Sequence, residues 1–125
     1  FIEMANVCCC KQRYGSALIL TIIDADANAN DNANVLSTLE AIYTKDMLVI
    51  LNVYTLKDHR RKGYGTMLLK RVIWESQRNK NHLYRIELDN LTDGTNDFYE
   101  KNGFAYVSAG FPEMYWEPTG LPLVV

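Results

Sequence analysis

Four side chains that carry or can take a positive charge, His59, Arg60, Arg61 and Lys62, run into Gly63-Tyr64-Gly65 and then an apolar stretch, in the segment HRRKGYGTMLL (residues 59–69). Cations beside two closely spaced glycines are the ingredients of an anion site. Glycine lets backbone approach a ligand, and the first turn of a helix offers unpaired N–H groups with partial positive charge. Two common phosphate-binding patterns are absent. No G-x-x-x-x-G-K-[ST] occurs, and Leu68 stands where G-x-G-x-x-G needs its third glycine. The plainer alternative is a solvated charge run ahead of a tight turn. Lys57, Arg60, Arg61, Lys62, Lys70 and Arg71 are six of the thirteen lysines and arginines, on a chain of net charge −2. The positive charge is therefore local rather than a property of the whole molecule.

Such a turn needs a strand before it and a helix after it. The apolar runs ALILTII (17–23), NVLSTLEAIY (34–43) and MLVILNVYTL (47–56) predict three strands in an antiparallel meander. The polar stretch DADANANDNAN (24–34) between the first two reads as a mobile hairpin loop, a plain connector rather than a lid. After residue 57 the apolar positions Met67, Leu68, Leu69, Val72 and Ile73 make one stripe of a helix, with Lys70, Arg71, Glu75 and Arg78 outside it. NKNH (79–82) ends that helix, and LYRIELDN (83–90) alternates like a strand. TDGTNDFYEKNGF (92–104) predicts a short helix with Thr92 as N-cap and Gly103 as its stop. FAYVSA (104–109) and EMYWE (113–117) add two strands, and the tail PTGLPLVV stays unclassified. The order β-β-β-α-β-α-β-β is of the α/β (α+β) class.

At 125 residues the chain suits a single domain spanning 1–125, and 48 % apolar with 22 % charged residues is an ordinary soluble balance. No run approaches the ~18 apolar residues of a membrane span. The chain opens on Phe1 rather than Met, which leaves room for residues ahead of it, a targeting segment included. Cys8, Cys9 and Cys10 are consecutive, odd in number and without a partner cluster. They read as reduced, buried strand residues of a cytoplasmic or nuclear protein, with no metal site. The net negative charge argues against a nucleic-acid partner, and no membrane partner is expected.

The sequence Arg60-x-x-Gly63-x-Gly65-Thr66, after the chain's strongest strand and about thirty residues ahead of a strand and FYEKNGF (98–104), resembles the GNAT superfamily of acyl-CoA-dependent N-acetyltransferases. The resemblance covers residues 47 to 117 well and 13 to 46 loosely. It implies a mixed, mostly antiparallel sheet with splayed central strands and two flanking helices, with acetyl-CoA (coenzyme A) as cofactor. Backbone groups across Arg61, Lys62, Gly63, Tyr64, Gly65 and Thr66 are then expected to hold the pyrophosphate, with Arg60, Arg61 and Lys62 adding charge. Backbone near Tyr54, Thr55 and Leu56 is expected to pair with the pantetheine arm, between splayed strands that hold Tyr54 and Leu88. Asn96 is expected to contact the same arm, and Tyr99 stands at the position of the family's acid.

Amide acetylation also requires a base, because only a neutral amine attacks. Some members place a glutamate eleven residues before the loop's first position; that position is Val49 here, and the strand 47–56 has no carboxylate. Glu87 and Asp89 flank Leu88 and point to the face opposite it, and Glu40 is a further candidate. Each is, more plainly, a solvent-facing strand carboxylate. His59 and His82 carry no argument for the role. Thr92 and Thr95 replace the asparagine and small apolar residue common in the family. About fifteen residues precede the second strand, too few for the two helices that usually wall the acceptor site. Two functions therefore remain. One is transfer of an acetyl group to a small amine, a lysine or a peptide N-terminus. The other is a weak or inactive domain that binds acetyl-CoA or a protein partner and regulates or competes with another acetyltransferase. A homodimer or protein partner is consistent with the exposed tail GLPLVV.

Overall fold

The computed structural model describes residues 6–25, 35–89 and 95–118. The loop residues 26–34, the cap expected at Thr92 and the tail from residue 119 lie outside the described residues. Strands β1 (Val7–Tyr14), β2 (Ala17–Asp24), β3 (Val35–Tyr43) and β4 (Met47–Thr55) form an antiparallel meander. Helix α1 (Tyr64–Gln77) crosses over to β5 (Arg85–Asp89), which lies parallel to β4. Helix α2 (Asn96–Lys101) leads on to β6 (Ala105–Tyr106) and β7 (Glu113–Trp116). The seven strands form one mixed sheet in the order β1-β2-β3-β4-β5-β7-β6, which is the expected class.

Strand alternation builds the core. Leu18, Leu20 and Ile22 of β2 turn one face inward, and their neighbours on the strand stay half-buried. They join Leu39, Leu48 and Ile86 from the sheet and Leu68, Leu69 and Val72 from α1 in one apolar cluster. Each fully buried aliphatic side chain contributes roughly 1.5–3 kcal/mol relative to an exposed one. Tyr64 and Leu68 sit on the same helix face one turn apart, so the stripe that anchors α1 begins at its first residue.

Three expectations need correction. The meander has four strands, because VCCCKQRY is a strand in its own right. Among the described residues it lies at the sheet's edge and pairs with β2 only, so it needs no apolar inner face along its whole length. For the same reason the cysteines are not buried: Cys8 is exposed, and Cys9 and Cys10 are partly covered. Second, Glu75 does not lie on the solvent face of α1. It is buried at 3 % exposure, where Lys11 of β1 reaches it across the sheet edge. Third, α2 begins at Asn96 with Thr95 in the N-cap position, and Gly103 (φ 91°) follows its C-cap Asn102. The left-handed conformation at Gly103 is the expected stop.

The central strands separate. Pairing of β4 with β5 runs from Met47↔Arg85 to Ile50↔Leu88, whereas β4 itself continues to Thr55. On the other side of β4 the register with β3 jumps from Asn52 to Ile50, opposite Glu40 and Ala41, and skips Leu51. An extra residue in one strand of a pair bends it and increases its twist. This bulge carries the end of β4 away from β5.

Candidate active site

The segment between β4 and α1 takes its shape from two left-handed residues. After a single 3-10 turn (Lys57–His59), Arg61 has φ 65° and Gly63 has φ 85°. Glycine adopts this conformation freely, but an arginine there is strained by roughly 1–2 kcal/mol. Gly63 is the N-cap of α1 and makes no side-chain cap; its carbonyl accepts the first helical bond, from Met67 N at 3.0 Å. The first-turn N–H groups of Tyr64, Gly65 and Thr66 therefore have neither an intrahelical partner nor a cap. Such groups, at the positive end of the helix, suit an anion.

These residues line a cavity of about 620 Å³ bounded by Val53, Tyr54 and Thr55 of β4, by His59, Arg60 and Arg61, by Gly63 to Thr66, and by Thr95 and Phe98 beside and within α2. Eight sequence candidates meet here: Tyr54, Thr55, Arg60, Arg61, Gly63, Tyr64, Gly65 and Thr66. Gly65 is closely packed, since a Cβ would come 3.2 Å from Phe98 Cζ and the ring would have to shift by a few tenths of an ångström. Arg60 turns back onto the strand. Its Nε donates to Thr55 O at 3.0 Å, and its guanidinium lies 5.7 Å from the Tyr54 ring centroid. His59 Nδ1 is buried without a hydrogen-bond partner among the described residues.

Leu56, Lys62, Asn96 and Tyr99 do not line this cavity. The Leu56 amide already donates to Leu36 O at 2.9 Å, which takes it out of the expected strand-like pairing with a ligand. Lys62 and Asn96 are exposed. Tyr99 is 9 % exposed and packs in the apolar cluster, with its ring edge-on to Phe98 at 5.0 Å and to Phe104 at 5.8 Å. Burial pushes its phenol above the usual tyrosine value, so the ring keeps its proton across the neutral range.

A second cavity, of about 410 Å³, opens where β4 and β5 part. Val49, Ile50, Leu51 and Leu88 line its apolar side, and Glu87, Asp89 and Glu113 its acidic one. Glu87 pairs with Arg85 at 2.9 Å, and Asp89 stands opposite Glu113 in the β5–β7 register. Glu40 accepts from Asn52 Nδ2 at 3.4 Å on the exposed surface, away from both cavities. Sequence reasoning missed Glu113, Phe98, Thr95 and Val53. Phe98 had a signal, since it adjoins Tyr99 in FYEKNGF; Glu113 reaches the site only through a long-range strand pairing. Among the described residues no group of three or more histidine, cysteine, aspartate and glutamate side chains could hold a metal. No helix among them is long and apolar enough to cross a membrane.

Residues 29–106 match the acetyltransferase (GNAT) domain family. No curated protein matches the sequence. Among solved structures, the PaiA N-acetyltransferase of Thermoplasma acidophilum in complex with coenzyme A is 18 % identical with a TM-score of 0.62, over 82 % of this chain and 62 % of that one. NAA60 of Arabidopsis thaliana in complex with a bisubstrate analogue is 12 % identical with a TM-score of 0.68, over 86 % and 78 %. A GNAT family acetyltransferase of Elizabethkingia anophelis with acetyl-CoA bound is 15 % identical with a TM-score of 0.65, over 90 % and 99 %. At these identities the likeness is one of fold. The chain spans 62 % of the length of the Thermoplasma protein.

Proposed function

The chain belongs to the GNAT acetyltransferase domain family, and on that footing we propose that it transfers the acetyl group of acetyl-CoA to an amine. One observation carries the reading. The uncapped first turn of α1, behind a loop with two left-handed residues, opens into the larger cavity. Anionic ligands favour such a turn, and a Cβ at Gly65 would press on the Phe98 ring that lines the same cavity. The residues present fit a pyrophosphate. The N–H groups of Tyr64, Gly65 and Thr66 would bind its oxygens, and Arg60 and Arg61 would add positive charge. Acetyl-CoA supplies a thioester, whose acyl carbon is the electrophile.

The acceptor would enter the smaller cavity at the splay. Glu87, Asp89 and Glu113 attract an ammonium there, and one of the three takes its proton, directly or through a water, leaving the lone pair free to attack. Tyr99 lines neither cavity and is proposed as the acid on its motif position: its Oη proton would pass to a departing sulfur brought against the ring. Its raised pKa keeps that proton available at neutral pH. Small amines, lysines and peptide N-termini all present the required group.

A second reading is a domain that binds acetyl-CoA without turnover and acts through a protein partner. Its support is the direct link from β1 to β2 through Gly15 and Ser16 alone, which places no acceptor-site wall between those strands. The test is calorimetric titration with acetyl-CoA, followed by thiol release from acetyl-CoA with a panel of amines and N-terminal peptides. Binding with acceptor-dependent thiol release supports the enzyme. Binding without release on any acceptor supports the second reading, and no binding overturns both.

A further inference from the structure

A third cavity, of about 430 Å³, lies at the opposite end of α1 from the glycine loop and is lined by Arg13, Tyr43, Glu75, Arg78, Asn79 and Tyr84. A helix of fourteen residues is about 21 Å long, so the two sites are separate. At the floor is the buried carboxylate of Glu75. Lys11 Nζ lies 3.1 Å from it, Arg71 Nε 3.0 Å and Arg78 Nε 3.2 Å. Arg13 is the fourth cation of the group, with its guanidinium 4.0 Å from the centroid of Tyr43. Three cations thus pair with one carboxylate, and Arg13 stands as a further cation in the lining, on a chain whose net charge is negative.

The arginines at the rim are held but not used up. Arg13 commits Nε to Gly15 O at 2.9 Å, and Arg78 commits Nε to Glu75. Among the described residues no hydrogen bond or ion pair engages the terminal N–H groups of either guanidinium, which form a fork that matches a carboxylate or phosphate. The wall beside them is stiff. Tyr43 packs edge-on against Tyr84 at 4.8 Å, and His82 stacks on Tyr84 at 4.4 Å. Burial first, and then the Glu75 carboxylate, push the Tyr43 phenol above its ordinary value, so it presents an O–H donor at neutral pH. Asn79 adds an amide. Of the charged residues that line the cavity, Arg13 and Arg78 are cationic and Glu75 is anionic, with Lys11 and Arg71 already paired to Glu75 from outside the lining; the net positive wall, with neutral donors beside it, suits a second anion.

We propose that this cavity binds a small organic anion bearing a carboxylate or a phosphate, held by Arg13 and Arg78 with Tyr43 and Asn79 as neutral donors. The site is independent of acetyl transfer, and its ligand is neither the acetyl donor nor the acceptor. The surplus charge sets the sign of the ligand, and the cavity volume admits more than a bare ion.

The experiment follows backbone amide resonances of the ¹⁵N-labelled chain during titration with inorganic phosphate and, separately, with succinate. Saturable shifts at Arg13, Tyr43 and Asn79 are expected from at least one of the two, and the one that saturates at the lower concentration identifies the head group. Arg13→Gln is expected to weaken that binding about tenfold, the scale of one charge-assisted hydrogen bond, and Tyr43→Phe to weaken it less. Tyr43→Phe alone carries the test if Arg13→Gln does not fold. Shifts confined to Gly63, Gly65 and Thr66, absence of saturation, or unchanged affinity in the folded variants would overturn the proposal. Acetyl-CoA calorimetry on the same variants, expected unchanged, keeps its failure distinct from failure of the acetyltransferase reading.

Discussion

The two ends of α1 solve the same electrostatic problem with different materials. At the N-terminal end, anion-seeking groups are supplied by backbone, and no side chain caps them. At the C-terminal end, side chains supply everything. Glu75 draws in Lys11, Arg71 and Arg78, and the carbonyl end of the helix gains a cationic collar. A backbone site depends on conformation and clearance, so its sensitive positions are glycines. A side-chain site depends on identity, so its sensitive positions are the charged residues themselves.

The largest expected effect tests the backbone end. Gly63→Asp places a Cβ on a left-handed residue and a carboxylate beside the uncapped turn. Calorimetry should show acetyl-CoA binding weakened about a hundredfold or more, the loss of roughly two charge-assisted hydrogen bonds. A circular dichroism spectrum like that of the parent would show that the fold survives. Retained affinity would break the contrast, because the turn would then not be the ligand's seat.

Next in size is Tyr99→Phe, expected to lower kcat about a hundredfold, the low end of general acid catalysis, with acetyl-CoA affinity within about threefold. Because burial raises this phenol's pKa, the protonated, active form persists to higher pH than for an exposed tyrosine. The alkaline limb of the kcat profile should therefore lie above about pH 10 and vanish in the phenylalanine variant. An unchanged kcat would return Tyr99 to the core, where its ring packs.

Glu75→Gln tests the other end. It keeps the volume and removes the charge that three cations share. Those cations are 27 %, 33 % and 49 % exposed and can rehydrate, so urea titration should show a loss of about 2 kcal/mol rather than the larger cost of stranding a buried charge. Cofactor affinity should not change. The smallest effect is expected of Arg61→Gly. It relieves a left-handed arginine and should raise stability by about 0.5–1 kcal/mol, while one lost cation weakens acetyl-CoA binding about threefold. A large loss of binding would mean that the Arg61 side chain, and not only its backbone, forms the cradle.

Backbone-built features were the more legible from sequence. Glycine spacing and the apolar stripe of Met67 to Ile73 located the loop and α1, since both are local signals. The alternation in LYRIELDN likewise placed Glu87 and Asp89 on one face. Side-chain-built features were not legible. Nothing near Glu75 in the chain announces that Lys11, sixty-four positions away, will meet it. Glu113 needs the β5–β7 register to join Asp89, and β1 carries a mixed composition because an edge strand has one neighbour. Tyr99 shows the limit of resemblance, since a motif position does not say how deeply its ring is buried.

One consequence concerns how the halves of the sheet are joined. Across the β4–β5 seam only four residue pairs are in register, from Met47↔Arg85 to Ile50↔Leu88. The antiparallel ladders on either side are complete without it. Beyond Ile50 and Leu88 the strands share no ladder, while Leu48, Ile50, Ile86 and Leu88 at the seam are buried, so the two halves are held there by core packing and the α1 crossover more than by backbone pairing. A ligand lying between the diverging ends would act as a wedge that sets their angle without displacing a backbone hydrogen bond between β4 and β5.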